Sequence, residues 1–252
     1  MTLTQLPLRV QLRDRSTFDS YYAGPNREAV TALRDLVLAR APGIYLFGAG
    51  GTGKTHLLQA AVHAASSAAQ TGVFLGREAL EDGGAAMLDG VEEARLLAID
   101  SPARVLRSRD FCVALLRCID ARRSQQLPTI FAATEPPERL DCALPDLRTR
   151  LTVLAVYGLR DLDDIHRNNL LDHRLRERGL EPAPPLLGFL LARLPRDTAS
   201  LLVAVDRLDA ACLSAKRRRL SIPFAQQVLH DLLPPPISRT PGSRRTPSAP
   251  PR

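Results

Sequence analysis

The chain has 252 residues, of which 45% are hydrophobic and 24% charged, so it is long enough to bury the core of one large domain or two small ones. No apolar run approaches the ~20 residues of a membrane span, and the first residues lack the cationic start and apolar core of a signal peptide, so we expect a cytoplasmic protein. The formal net charge is +7, but four arginines and no acid lie in residues 234–252, which leaves +7 minus 4, or +3, on the rest and weakens a nucleic-acid interpretation.

Cysteines and histidines show no pattern of a metal site or a disulfide framework. The four cysteines lack CxxC spacing, and the five histidines are scattered along the chain. We therefore expect no structural metal, and reduced, mostly buried thiols at Cys112, Cys118, Cys142 and Cys212.

Residues 1–12 are predicted to form an extended arm, because Pro7 lies among alternating apolar residues and no helix signal is present. Residues 13–158 then alternate short apolar runs with helical segments. This alternation indicates a parallel sheet covered by helices on both faces. The five predicted strands are Ile44–Phe47, Val73–Leu75, Leu96–Ile99, Thr129–Ala133 and Thr152–Val156.

A complete GxxxxGK[ST] phosphate-binding loop occupies residues 48–55, between the first strand and a helical pattern. Glycines let backbone N–H groups turn inward around a phosphate, Lys54 reaches the β- and γ-phosphate oxygens, and the Thr55 hydroxyl is placed to ligate Mg²⁺. Lys54 is also one of only two lysines in an arginine-rich chain. We predict binding of ADP or ATP with Mg²⁺. The predicted phosphate-binding residues are Gly48, Gly50, Gly51, Thr52, Gly53, Lys54 and Thr55.

The third strand ends in Asp100, which matches a Walker B element whose carboxylate shares Mg²⁺ with Thr55. The next residue is Ser101, where most hydrolysing AAA+ proteins carry an acid that polarises the attacking water. Serine does not accept that proton at neutral pH. We therefore expect a nucleotide binder or slow switch whose own ATPase activity is weak or absent.

From residue 159 the pattern changes to helices, which predicts a small all-helical domain over residues 159–233. The run Lys216–Arg219 is interpreted as a solvated helix end rather than a phosphate-contacting patch. Residues 234–252 hold seven prolines and are predicted to be disordered. The predicted helices are Asp161–Arg178, Leu186–Leu194, Asp197–Leu213 and Ile222–Leu233.

In order and spacing, several short blocks resemble the DnaA-type AAA+ family, most closely its Hda-like regulators, which inactivate the bacterial replication initiator DnaA and lack its DNA-binding domain. The resemblance runs from about residue 5 to residue 232. It implies a three-layer α/β AAA+ P-loop base with a five-stranded parallel sheet (residues 13–158), followed by a helical lid (residues 159–233). The blocks are Gln5–Leu8, Thr17–Tyr21, Gly48–His56, Leu88–Val91, Ile99–Asp100, Pro136–Pro137, Leu144–Leu151 and Ser221–Phe224.

The resemblance implies that Gln5, Leu6 and Leu8 grip the sliding clamp, the β subunit of the replicative polymerase. An extended segment with two leucine anchors can dock in a hydrophobic groove at modest entropic cost, because Pro7 restricts it beforehand. The alternative is an N-terminal strand that packs on its own domain.

The block Leu144–Leu151 resembles the family element that carries an arginine finger, and Arg150 occupies the matching position. Offered in trans to another protein's ATP, such a finger neutralises charge in the transition state. Arg148 is a nearby competitor for the role, and a salt bridge at a helix end is the alternative for Arg150.

Two positions concern the sensors of the family. Thr134 falls at the sensor 1 position after the fourth strand, where a hydroxyl can still hydrogen-bond a γ-phosphate or water. Ala199 falls where a sensor 2 arginine is expected, and Arg196 is the candidate substitute. Loss of sensor 2 would weaken the coupling between bound nucleotide and lid.

These features favour a negative regulator of replication initiation, which links DnaA-ATP to the DNA-loaded clamp and promotes ATP hydrolysis through Arg150. Its implied partners are DnaA, the clamp, DNA indirectly through the clamp, and a nucleotide-dependent homo-oligomer, with no membrane. Two alternatives stay open. One is an autonomous ATPase or helicase loader acting on single-stranded DNA, against which Ser101 argues, and the other is a non-catalytic clamp-binding scaffold.

Overall fold

The computed structural model describes residues 16–38, 43–68 and 70–233. Their central feature is a five-stranded sheet in the order β2-β3-β4-β1-β5, in which every neighbouring pair of strands is parallel. The predicted α/β fold with a five-stranded parallel sheet is confirmed. The strands are β1 (Ile44–Phe47), β2 (Gly72–Leu75), β3 (Leu96–Asp100), β4 (Thr129–Ala133) and β5 (Ala155–Gly158).

Helices cover both faces of this sheet. Because successive side chains of a strand point to opposite faces, Leu46 of β1 packs in one apolar core with α1 and α2, whereas Tyr45 packs in the other. The second core is closed by α5 and α6. The helices up to this point are α1 (Arg27–Leu38), α2 (Lys54–Ser67), α3 (Arg77–Gly83), α4 (Ala103–Leu106), α5 (Arg109–Ser124) and α6 (Pro145–Leu151), with 3-10 turns at Gly24–Asn26, Gly84–Leu88 and Pro137–Arg139.

The last strand differs from its predicted bounds of Thr152–Val156. Thr152 instead ends α6, where its backbone N–H donates to the Arg148 carbonyl at 3.0 Å. The N–H of Leu154 likewise turns back to the Leu151 carbonyl at 3.2 Å. The apolar run therefore begins inside a helix end and a turn, and β5 starts only at Ala155, the residue that pairs with Ile44.

The described residues divide into two compact units, with the division at Leu170–Leu171, and residues 197–199 cluster with the first unit. The second unit has its own core of leucines and small residues. It also contains a two-stranded parallel pair that the all-helical prediction missed. Its elements are the end of α7 (Asp164–Glu177), β6 (Glu181–Pro182), α8 (Pro184–Arg193), α9 (Thr198–Ser214) from Ser200 onward, β7 (Arg219–Leu220) and α10 (Ile222–Val228).

Local hydrogen bonds explain where α7 and α10 depart from their predicted bounds. The α7 helix begins at Asp164 rather than Asp161, because the Asp163 carboxylate accepts from the His166 backbone N–H at 2.8 Å and caps the first turn. The predicted stop at Gly179, whose φ is 71°, holds. The α10 helix ends at Val228, since the N–H groups of Leu232 and Leu233 both turn back to one carbonyl, that of Leu229.

The basic run Lys216–Arg219 is exposed, but it forms a turn and the start of β7 rather than a helix end. Arg217 stacks on the Phe224 ring at 4.3 Å, and Arg219 faces Glu181 across the strand pair. None of the described helices is long and apolar enough to cross a membrane. Cys112, Cys118 and Cys212 are buried free thiols, as predicted, whereas Cys142 is half-buried.

Candidate nucleotide-binding site

The predicted phosphate-binding loop joins the carboxyl end of β1 to the first residue of α2. Two of its glycines have no room for a side chain. A Cβ on Gly48 would lie 2.6 Å from the Leu159 carbonyl oxygen, and one on Gly53, whose φ is 93°, would lie 2.5 Å from the Tyr21 ring. Only glycine therefore lets the loop lie this close to its neighbours.

Lys54 is buried inside the curve of this loop. Its Nζ donates to the carbonyl oxygens of Gly48, at 2.6 Å, and Ala49, at 2.8 Å. Burial lowers the pKa of Lys54, and the nearby Asp100 carboxylate opposes that shift. The ammonium group is thus held where phosphate oxygens could replace the two carbonyl acceptors.

The structure brings together the two residues predicted to share a magnesium ion. Thr55 Oγ1 donates to Asp100 Oδ2, and Asp100 is only 2% exposed. A hydroxyl and a carboxylate beside a phosphate loop are the hard oxygen donors that Mg²⁺ takes, so the residues present fit the ion. When bound there with a nucleotide, Mg²⁺ would neutralise charge on the phosphate oxygens.

Ser101 follows Asp100 and is equally buried. Its backbone N–H donates to the Ala132 carbonyl at 3.0 Å, while its hydroxyl oxygen has no hydrogen-bond partner within the described part of the chain. The position after the strand-end carboxylate therefore holds a small hydroxyl that is closed to solvent. It provides no general base for an attacking water.

Thr134 directly follows β4 and is exposed. Because Phe47 and Ala133 are aligned partners in the sheet, Thr134 and Gly48 leave neighbouring strand ends on the same edge. That edge, at the carboxyl ends of parallel strands, is where such folds bind ligands. The sensor 1 role of Thr134 stays a prediction.

A hydrogen-bond network behind the phosphate-binding loop was not predicted from the sequence. The Tyr21 hydroxyl donates to the Thr52 carbonyl at 2.9 Å, and Asn26 Nδ2 donates to both the Tyr21 hydroxyl, at 3.2 Å, and the Arg160 carbonyl, at 3.0 Å. Burial raises the pKa of Tyr21, so its phenol stays protonated. The block Thr17–Tyr21 resembles the family, but that resemblance does not predict this anchoring.

Arg77 was also missed. It begins α3 directly after the carboxyl end of β2, and its Nε lies 3.6 Å from Asp100 Oδ1. Its place just beyond a strand end was the only signal in the sequence that could have indicated a role at this edge of the sheet.

The candidate arginine finger lies on α6. Arg150 Nε is 3.2 Å from Asp120 Oδ1 on α5, and the arginine side chain remains 40% exposed. Arg123 Nη2 lies 3.8 Å from the same carboxylate oxygen, whereas Arg148 is half-buried on the same helix as Arg150. The salt bridge left open as an alternative for Arg150 is therefore present, and it leaves the guanidinium partly in solvent.

The other predicted residues lie outside the described part of the chain or on the second unit. Gln5, Leu6 and Leu8 lie outside the described residues, as do residues 234–252. Arg196 belongs to the second unit, between α8 and α9, and Ala199 lies in the first turn of α9. Sensor 2 substitution by Arg196 stays a prediction.

We expect Lys54→Ala to abolish nucleotide binding while the fold survives. The substitution removes the cation that the loop holds, which provides a charge-assisted contact to phosphate. The measurement is the shift of the unfolding midpoint on adding ADP and Mg²⁺, which ligand binding to the folded state should produce in the wild type only. Lys216→Ala removes the other lysine and serves as the matched control. If ADP and Mg²⁺ shifted the unfolding midpoint of Lys54→Ala as much as that of the wild type, Lys54 would not be part of the nucleotide-binding site.

The fold and this site together define the class of protein. Domain III of the replication initiation protein DnaA from Thermotoga maritima superposes with a TM-score of 0.72, at 19% identity over 87% of this chain and 98% of that one. A replication initiator DnaA bound to AMPPCP and single-stranded DNA has a TM-score of 0.69, at 17% identity over 82% of this chain and 69% of that one. The chain is a P-loop protein of the AAA+ class with a DnaA-type fold.

Sequence comparisons narrow this class. The family model "Hda, lid domain" matches residues 164–229. An uncharacterized protein of Haemophilus influenzae is 30% identical over 231 residues, which cover 90% of this chain and 98% of that protein. The chain belongs to the Hda-like regulators of the DnaA family.

Proposed function

We propose that this chain is a negative regulator of replication initiation that promotes hydrolysis of ATP bound to DnaA. The observation that carries the proposal is the mismatch inside its own site. Lys54, Thr55 and Asp100 lie at the phosphate-binding loop, which supports nucleotide binding, yet Ser101 stands where an acid would be needed to activate water. The catalytic contribution therefore goes to a partner's nucleotide, and the chain's own nucleotide sets the shape of the interface.

Arg150 is the proposed finger in trans. The pair with Asp120 directs its guanidinium while leaving 40% of the side chain in solvent. A half-exposed ion pair contributes only about 0–1 kcal/mol, so a partner's triphosphate, with its higher charge, can displace the carboxylate at little cost. Arg148 stays the competitor for this role.

ADP or ATP with Mg²⁺ is the proposed ligand of the chain's own site, with ADP as the resident form. The AMPPCP reported on a DnaA of the same fold supports an adenine nucleotide. We further propose that Thr134 senses the γ-phosphate, that Arg196 stands in for the missing sensor 2 arginine, and that nucleotide binding controls self-association.

The sliding clamp is the proposed anchor. Gln5, Leu6 and Leu8 would bind its hydrophobic groove and so bring the chain to DNA indirectly, in the cytoplasm. Tethering raises the local concentration of finger and target without any new contact between them. The proposal therefore predicts that conversion of DnaA-ATP is faster on DNA that carries a clamp.

A double substitution in the arm tests this anchor. We expect Leu6→Ala with Leu8→Ala to remove most of the acceleration of DnaA-ATP hydrolysis on clamp-loaded DNA, because both anchors are lost. The measurement is the rate at which purified DnaA-ATP becomes DnaA-ADP, with and without loaded clamp. Leu3→Ala with Leu12→Ala changes the same number of leucines beside the motif and is the control. If all three proteins converted DnaA-ATP at the same rate on clamp-loaded DNA, the arm would not act through the clamp.

The same assay tests the function as a whole. If the wild-type chain leaves the rate of DnaA-ATP conversion unchanged on clamp-loaded DNA, DnaA inactivation is the wrong function. Turnover of its own ATP stimulated by single-stranded DNA would then indicate a helicase loader.

A further inference from the structure

A second cation, Arg77, lies beside Asp100, the predicted magnesium ligand. Both oxygens of the Asp100 carboxylate have partners, since Oδ2 accepts from Thr55 and Oδ1 lies 3.6 Å from Arg77 Nε. Asp100 is almost completely buried, whereas half of the Arg77 side chain is exposed. The carboxylate that is expected to help hold Mg²⁺ is thus already shared with a guanidinium.

Arg77 also influences the phosphate-binding lysine. Burial is the main cause of the lowered pKa of Lys54, the Asp100 carboxylate opposes it, and Arg77 adds to the lowering through charge repulsion. The charges of Arg77 and Lys54 are therefore both close enough to interact with one buried carboxylate, that of Asp100. A phosphate group placed there would meet two cations of the chain itself.

We propose that Arg77 is a built-in counter-cation for the bound nucleotide, so that nucleotide binding to this chain depends only weakly on Mg²⁺. The guanidinium is always charged and offers five N–H donors, which suit phosphate oxygens. Its exposed half leaves it room to turn from Asp100 toward a phosphate. While it faces Asp100, it neutralises part of the charge that would attract a metal ion.

This inference rests on the proposed nucleotide binding but not on any action toward DnaA. The experiment measures the Kd of a fluorescent ADP derivative, the N-methylanthraniloyl ester, in Mg²⁺ and in EDTA. For the wild type we expect the two values to agree within about threefold, and for Arg77→Ala we expect their ratio to rise about tenfold, the effect of one charge-assisted contact.

Two variants separate this role from a general loss of charge or structure. Arg77→Lys keeps a cation and should retain most of the magnesium independence. Arg107→Ala removes an arginine from an exposed pair with Asp141 on the same unit and should leave the ratio unchanged. A strong magnesium dependence in the wild type that Arg77→Ala does not alter would overturn the inference while leaving nucleotide binding in place. No binding by the wild type in either buffer would overturn both.

Discussion

Arg150→Ala is expected to abolish the acceleration of DnaA-ATP hydrolysis while leaving the fold and the chain's own nucleotide binding intact. The guanidinium lies on the α6 surface, partly in solvent, and among the described residues its loss breaks a half-exposed pair with Asp120. In GTPases an arginine finger supplied by a partner contributes about 10³ to 10⁵ in rate, so even the lower figure would reduce the stimulated rate to background. The measurement is conversion of DnaA-ATP to DnaA-ADP on clamp-loaded DNA.

Matched variants identify which property of Arg150 matters. Arg150→Lys keeps the charge but not the planar, bidentate donors, so we expect it to recover little of the lost rate. Arg148→Ala removes the competing arginine of the same helix and should stay close to wild type. If Arg148→Ala lost the stimulated hydrolysis and Arg150→Ala kept it, Arg148 would be the arginine finger. Full stimulation by both alanine variants would favour the non-catalytic clamp-binding scaffold.

The second large effect concerns Arg122, which is completely buried and has no carboxylate among its hydrogen-bond partners. Its guanidinium instead joins the segment before β3 to the start of β4. Burial lowers the pKa of Arg122 to about 10, so the group remains charged at neutral pH. The acceptors are the carbonyl oxygens of Val91 (3.1 Å), Glu92 (3.0 Å), Ala94 (2.8 Å) and Pro128 (2.6 Å) and the Thr129 hydroxyl (2.9 Å).

We expect Arg122→Ala to lower the free energy of unfolding of the first unit by about 3–5 kcal/mol, because it leaves buried carbonyls without donors and opens a cavity. The measurement is urea unfolding followed by tyrosine fluorescence. All four tyrosines lie in the first unit, so this signal reports on it alone.

Arg123→Ala is the neighbouring control. Arg123 is half-exposed and pairs loosely with Asp120 at 3.8 Å, so its loss should cost less than about 1 kcal/mol. Arg122→Lys, with three donors rather than five, should fall between the two alanine variants. A loss below about 1 kcal/mol for Arg122→Ala would mean that the network does not stabilise the unit.

The sequence by itself determined those features of the fold and the site that depend on a few consecutive residues. The run Ile44–Phe47, the glycine spacing of residues 48–55 and the carboxylate at the end of β3 each depend on a few consecutive residues. Glycine at position 179 stops α7 for a reason equally local, its left-handed conformation. From such signals the parallel sheet, the loop and the candidate metal ligands could be predicted.

Boundaries at the ends of elements were less predictable. Thr152 and Val153 resemble strand residues, but hydrogen bonds to the last turn of α6 keep Thr152 out of β5. The pair β6–β7 joins residues on either side of α8 and α9, so no pattern within two consecutive residues could indicate it. In these cases the hydrogen-bond partners of the backbone groups could not be predicted from the neighbouring residues.

Tertiary structure alone decided which distant side chains serve the site. Asn26 bonds to Arg160, which lies 134 positions away, and thereby supports the tyrosine that contacts the phosphate loop. Arg77 reaches Asp100 only because β2 and β3 are neighbours in the sheet. The sequence determined the residues that could bind a phosphate, because that chemistry is encoded in consecutive positions. The surrounding charges and hydrogen bonds depend on strand order and packing, which bring together residues that no short sequence pattern connects.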